Sequence, residues 1–117
     1  MVKSIIDDTV LEVIRNLDPN GGNEILQPII KLYLKSAGTL LHSLEQACAL
    51  GDLDAIRLAA HTLKSSSSQM GAHGLADLCR EVENEARNHR YDASGKTLLI
   101  VMQEFANTKA ALDTYLG

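Results

Sequence analysis

The sequence predicts an all-α fold: an up-and-down four-helix bundle with a short additional N-terminal helix. Three observations predict it. Apolar residues recur at three- and four-residue steps in five separate segments, the period of a helix face. No segment shows the strict alternation of a half-buried strand, and no internal repeat is visible. The apolar 45% is carried by Leu, Ile, Val and Ala, with 3% aromatics and no Trp, which suits helix packing better than a β-sandwich. At 117 residues the whole chain, 1–117, is expected to form one domain around one modest core.

The elements follow in order. Ile5 to Leu17 carries Ile6, Val10, Val13, Ile14 and Leu17 as a helical stripe, with Asp7 and Asp8 near the start, where acids complement the helix dipole. DPNGG, Asp18 to Gly22, is a strong turn cluster that stops it. The second helix runs from Asn23 to about Leu50, with Leu26, Ile29, Ile30, Tyr33, Ala37, Leu40, Leu41, Leu44 and Cys48 as its apolar face. Pro28 falls in its first turn, where the missing N–H costs least. Gly38 marks a bend or a close contact, and Gly51 suits the C-terminal cap. Asp52 caps a third helix that ends at Met70 and Gly71 (about 52–70). A fourth carries Leu75, Leu78, Cys79, Val82 and Ala86 on one face. After a polar connection from Asn88 to Gly95, the last helix carries Leu98, Val101, Met102, Phe105, Leu112 and Leu116.

Whole-chain properties exclude several function classes. A net charge of −4 argues against a nucleic-acid binder, whose footprint is a basic patch or stripe. No run approaches 18 apolar residues, so no membrane insertion is expected, and the first residues do not resemble a signal peptide. Cys48 and Cys79 belong to no CxxC pair and no Cys/His metal spacing; they read as buried small hydrophobes in a reducing compartment. His42, His73 and His89 form no Glu-x-x-His set and read as surface or cap residues, so no metal site is expected.

The stretch AAHTLKSSSSQMG, Ala59 to Gly71, has the composition of a linker but lies in a helical pattern. At about 100° per residue, Asp54, Arg57, Leu58, Lys64, Ser65 and Ser68 share a face with His61. Ile56, Ala59, Leu63, Ser66 and Met70 lie opposite, so Ser66 is expected to point inward, its hydroxyl returning to a carbonyl one turn back. His61 and Lys64, three residues apart, are neighbours. A phosphoryl group on the imidazole would carry close to two negative charges, which Lys64 and the serine hydroxyls could receive. Transfer chemistry would need Mg²⁺ and carboxylates from another protein. These physical arguments leave a helical bundle with an exposed His/Lys/Ser patch. A phosphate-independent interaction module and a bundle enzyme both remain open.

Three runs carry a resemblance. His61 to Gly71 reads HTLKSSSSQMG, close to H-x-L-K-[GS]-S-[SAG]-x-x-[LIM]-G. Leu75 to Glu83 reads LADLCREVE, and Ala49-Leu50-Gly51-Asp52 leads through to Ala60-His61. With the opening IDDTVL, NGG and ILQPIIKLYL, the chain over nearly its whole length resembles the histidine-containing phosphotransfer (HPt) domains of multistep two-component phosphorelays. The resemblance implies that His61 accepts and donates the phosphoryl group through Nε2. It implies that Lys64 stabilises that group, with Gln69 and Arg87 in support, and that Ser66 and Gly71 are structural members of the motif. Arg57, Leu58, Ser65 and Ser68 are expected to meet the receiver; Ser65 stands where glycine is frequent. Glu83 reads as a structural partner of Lys64 or Arg87. The implied partners are receiver domains of a hybrid sensor histidine kinase and of a response regulator, with Mg²⁺ on the receiver and no cofactor on this chain. A non-catalytic carrier is implied, monomeric and cytoplasmic, free-standing or as the cytoplasmic domain of a membrane-bound hybrid kinase.

Overall fold

The computed structural model describes residues 5–20, 22–92 and 94–116. Its described residues form five helices and no strand: α1 (Asp8–Arg15), α2 (Leu26–Leu50), α3 (Leu53–Gln69), α4 (His73–Arg87) and α5 (Lys96–Asp113). Helix α3 packs against both α4 and α2, α5 closes against α4 and α2, and α1 leans on α2. This is the expected bundle with an extra N-terminal helix.

The long helices end where local chemistry ends them. Pro28 sits in the first turn of α2, and Gly51 closes that helix in the left-handed conformation at φ 66°. The Asp52 carboxylate then accepts from the Ala55 N–H at 3.1 Å and starts α3. At the end of α3, Gly71 turns the chain at φ 80°. A side chain there would also meet the Asp7 carbonyl oxygen at 2.9 Å, because the Asp7 N–H donates to the Gly71 carbonyl. Gly74, in the first turn of α4, leaves room for the Glu104 carboxylate, which would lie 2.7 Å from an added Cβ. That places an acid from α5 near a helix start whose N-cap, Ala72, supplies no side-chain bond. Asp92 accepts from the Thr97 and Ser94 N–H groups and hydroxyls ahead of α5; these bonds hold its carboxyl down at about 2.

Several expectations about packing need correction. Helix α1 is shorter than Ile5 to Leu17, because Asp7 is already its N-cap, accepting from the Thr9 N–H. Its buried direction is set by Leu11, and Val13 falls about 200° round the helix from it. Leu11 is fully buried, whereas Val13 and Leu17 are 62% and 66% exposed. In α2 and α5, Ile29 and Met102 fall on the margins of their apolar faces and are exposed. Gly38 makes no close approach: nothing lies within 4 Å of an added Cβ. Cys79 is buried, and burial pushes its thiol up to about 12, while Cys48 is only half-buried.

The core gathers Leu26, Ile30, Leu44, Ile56, Leu63, Leu75, Val101 and Leu112 at essentially zero exposure. One polar pair lies inside it. The Tyr33 hydroxyl of α2 and the Ser67 hydroxyl of α3 are 2.7 Å apart. Burial pushes the Tyr33 phenol up to about 12. Ser67, not Ser66, is therefore the inward serine of the SSSS run. Ser66 is half-buried, its hydroxyl donating to the Leu63 carbonyl at 3.3 Å. Because α2 and α4 flank α3, its buried arc is wide and takes in Ala60 and Ser67 as well as Ile56 and Leu63. Ser67→Ala leaves a buried phenol without its partner and is expected to cost roughly 1–3 kcal/mol. In urea denaturation the Tyr33→Phe/Ser67→Ala double variant should cost less than the sum of the singles.

Candidate functional site

The α3–α4 seam builds the site around one carboxylate. Glu83 belongs to the same stripe of α4 as Cys79, Val82 and Ala86, so the helix carries it into the interior, where its side chain is 2% exposed. Its Oε2 lies 2.7 Å from His61 Nδ1, and its Oε1 accepts from Lys64 Nζ at 2.6 Å. The Arg87 guanidinium, one turn along α4, donates to Oε2 at 3.1 Å. Burial pushes the Glu83 carboxyl up. The hydrogen bonds from Lys64 and His61, with their charges, outweigh that and hold it below the usual carboxylate range.

An ionised carboxylate can only accept, so the Glu83–His61 contact places a proton on Nδ1. In the neutral ring Nε2 then carries the lone pair. The imidazole is 53% exposed, with its Nδ1 edge turned to Glu83. The arrangement thus presents a nucleophilic ring nitrogen backed by an anion able to stabilise a positive ring.

The predicted site residues distribute unevenly around this centre. Leu58 is 62% exposed, Ser65 and Ser68 are exposed, and Arg57 is half-buried, all on α3. Lys64, Ser65, Ser68 and Gln69 line one open groove together with Ala76 and Arg80 of α4. Arg87, expected to support a phosphoryl group, is engaged with Glu83 in this structure. Gly71 closes the motif at the α3–α4 turn. His73 is bonded to Asp7 at 3.1 Å, while His42 and His89 are exposed. Among the described residues no group of three or more His, Cys, Asp or Glu could hold a metal ion. No described helix is long and apolar enough to cross a membrane.

Glu83, expected to partner Lys64 or Arg87, pairs with both and in addition with His61, a bond outside the sequence expectations. Its signal was present: an acid lying on an otherwise apolar stripe at helical spacing, one turn after Cys79.

Comparison with known proteins settles what kind of chain carries this seam. The family model described as "Hpt domain" matches residues 28–114. The chain belongs to the Hpt domain family. Hpt domains are phosphotransfer carriers of His–Asp phosphorelays and work with receiver domains of hybrid sensor kinases and response regulators. The crystal structure of histidine-containing phosphotransfer protein B from Pseudomonas aeruginosa PAO1 is similar at a TM-score of 0.86 and 26% identity, covering 97% of this chain and 95% of that one. Multistep phosphorelay regulator 1 of Schizosaccharomyces pombe is 27% identical over 82 residues, 70% of this chain. Sensor protein TorS of Escherichia coli K12 is 36% identical over 64 residues, 55% of this chain. The matched regions span 28% and 7% of these two relatives' own lengths.

The lowered Glu83 carboxyl sets a pH dependence for this Hpt domain. Its contribution to stability is fully present above the ordinary value near 4.5 and is lost as pH falls through the lower folded value. Glu83→Gln is expected to be less stable than wild type by roughly 1–3 kcal/mol between pH 5 and 7, because it unpairs the cations around a buried group. In urea titrations the gap should shrink steadily below about pH 4.5.

Proposed function

We propose that this Hpt domain carries its phosphoryl group on His61 Nε2, taking it from the aspartyl phosphate of one receiver domain and passing it to the aspartate of another. The observation that carries this reading is the bond from His61 Nδ1 to the buried Glu83 carboxylate, which leaves Nε2 as the attacking atom. In the forward step the Nε2 lone pair attacks phosphorus in line. The N–P bond forms as the phosphorus–oxygen bond to the receiver aspartate breaks, and that aspartate leaves as a carboxylate. The imidazole becomes positively charged, and Glu83 balances that charge at Nδ1. Lys64, within one helical turn, spends one of its three N–H donors on Glu83 and can offer the others to the phosphoryl oxygens. Donation to the second receiver reverses these bond changes.

The receiver brings Mg²⁺ and the acidic residues that bind it; this chain contributes the nucleophile and the docking surface. Leu58, Ser65 and Ser68 are exposed on the His61 face, so apolar contact and small side chains can lie close to the nucleophile. Arg57 and Lys64 complement an acidic receiver pocket. The upstream receiver belongs to a hybrid sensor histidine kinase and the downstream one to a response regulator. The chain acts as a monomer in the cytoplasm, free or as a domain of a membrane-bound hybrid kinase.

His61→Gln is expected to retain wild-type helicity by circular dichroism and to take no label from a phosphorylated cognate receiver. The wild-type adduct should be acid-labile and alkali-stable. Label on the glutamine variant, or an acid-stable adduct, would falsify the assignment.

A further inference from the structure

A groove that adjoins the site through Lys64 carries on its α4 wall a residue, Arg80, to which the carrier reading gives no role. It lies between α3 and α4 and is lined by Lys64, Ser65, Ser68, Gln69, Ala76 and Arg80. Apart from the Ala76 methyl, every lining side chain offers hydrogen-bond donors: an ammonium, two hydroxyls, an amide and a guanidinium. None of the lining residues is an acid, although the chain as a whole is acidic. The groove measures about 390 Å³, room for an acidic side chain together with several waters.

Arg80 is the residue that sets its charge. Lys64 is committed to Glu83 at 2.6 Å and belongs to the phosphoryl site. Arg80 stands on α4 at the opposite wall, 59% exposed, and among the described residues it pairs with Asp77 in a surface i,i+3 contact from Nη1 at 3.1 Å. Such exposed pairs are weak and exchange readily. A guanidinium presents a planar fork with five donors, so a carboxylate can engage it on an edge that Asp77 does not occupy.

We propose that this groove is a specificity site, in which Arg80 receives a carboxylate side chain of the receiver domain seated over His61. The inference rests on the phosphorelay reading above. Charge complementarity selects the occupant: a donor-lined groove that adjoins the nucleophile through Lys64 is covered when a receiver covers His61, and it favours receivers with an acid at that flank. Receivers with a base there meet Arg80 as a like charge and are rejected.

The test uses the receiver domain that exchanges phosphoryl fastest with the wild-type chain. Arg80→Glu should raise KM for that receiver roughly five- to tenfold, leave kcat within about twofold, and flatten the salt dependence of kcat/KM, as removal of a rim charge does. Arg80→Lys should recover most of the loss. Chemical phosphorylation of His61 by phosphoramidate, which involves no receiver, should be the same in wild type and Arg80→Glu. An unchanged KM and salt slope in Arg80→Glu, or a loss confined to kcat, overturns the proposal while leaving His61 as carrier. Inorganic phosphate at constant ionic strength that inhibits wild type but not Arg80→Glu would assign the groove to a free anion instead and also overturn it. Phosphoryl uptake by His61→Gln would instead remove the carrier reading on which the proposal stands.

Discussion

A buried carboxylate shared by three basic side chains is the constraint on which the site depends. Glu83 is almost inaccessible, yet it touches His61, Lys64 and Arg87 within 3.1 Å. A buried acid without partners would protonate or destabilise the bundle. Here the cations keep it ionised, and the anion in return fixes the imidazole's tautomer and the lysine's position. The same contacts that make the burial tolerable therefore organise the reactive nitrogen. Because His61 and Lys64 come from α3 while Glu83 and Arg87 come from α4, the site also ties together the most closely packed helix pair.

The rest of the fold keeps that pair in register. The turn between α3 and α4 is held by Gly71, whose backbone accepts from Asp7 and whose missing side chain lets the N-terminal segment approach. Asp7 also caps α1 and reaches His73 on α4. Arg15, at the other end of α1, lies 5.5 Å from the centre of the Tyr115 ring, and the Tyr115 hydroxyl donates to Asp8 at the helix start. The short first helix thus fastens the α3–α4 turn to the end of α5. On the opposite flank of α3, the Tyr33–Ser67 hydrogen bond fixes its rotation against α2. A small error in that rotation would move His61 away from Glu83, since both belong to rigid helices.

Local signals in the sequence were sufficient for the helices and the caps. The Asp52 cap, the Gly51 and Gly71 terminators and the Leu63 stripe are nearest-neighbour features, and each stands where its chemistry requires. What was not legible depends on neighbours distant in sequence. A wheel centred on His61 places Ser66 inward, but α3 is covered on two sides, so the buried arc extends to Ala60 and Ser67. Val13 and Leu17 look like core residues, but Leu11 sets the buried direction of α1, Val13 falls about 200° round from it, and Leu17 lies beyond the helix end. At the site, the i,i+3 spacing of His61 and Lys64 was readable. The Nδ1 contact with Glu83 was not, because it joins residues 22 apart through the packing of two helices. Likewise, the shared groove of Arg80 with Ser65 and Ser68 joins residues of two helices and emerges from the same packing.

The most direct test of the account is the position of the phosphoryl group on the imidazole. Long-range ¹H–¹⁵N correlation NMR on the phosphorylated chain reads both ring nitrogens of His61 separately. The account predicts phosphorus on Nε2 with the proton retained on Nδ1, facing Glu83. Phosphorus on Nδ1, or on a residue other than His61, would contradict it.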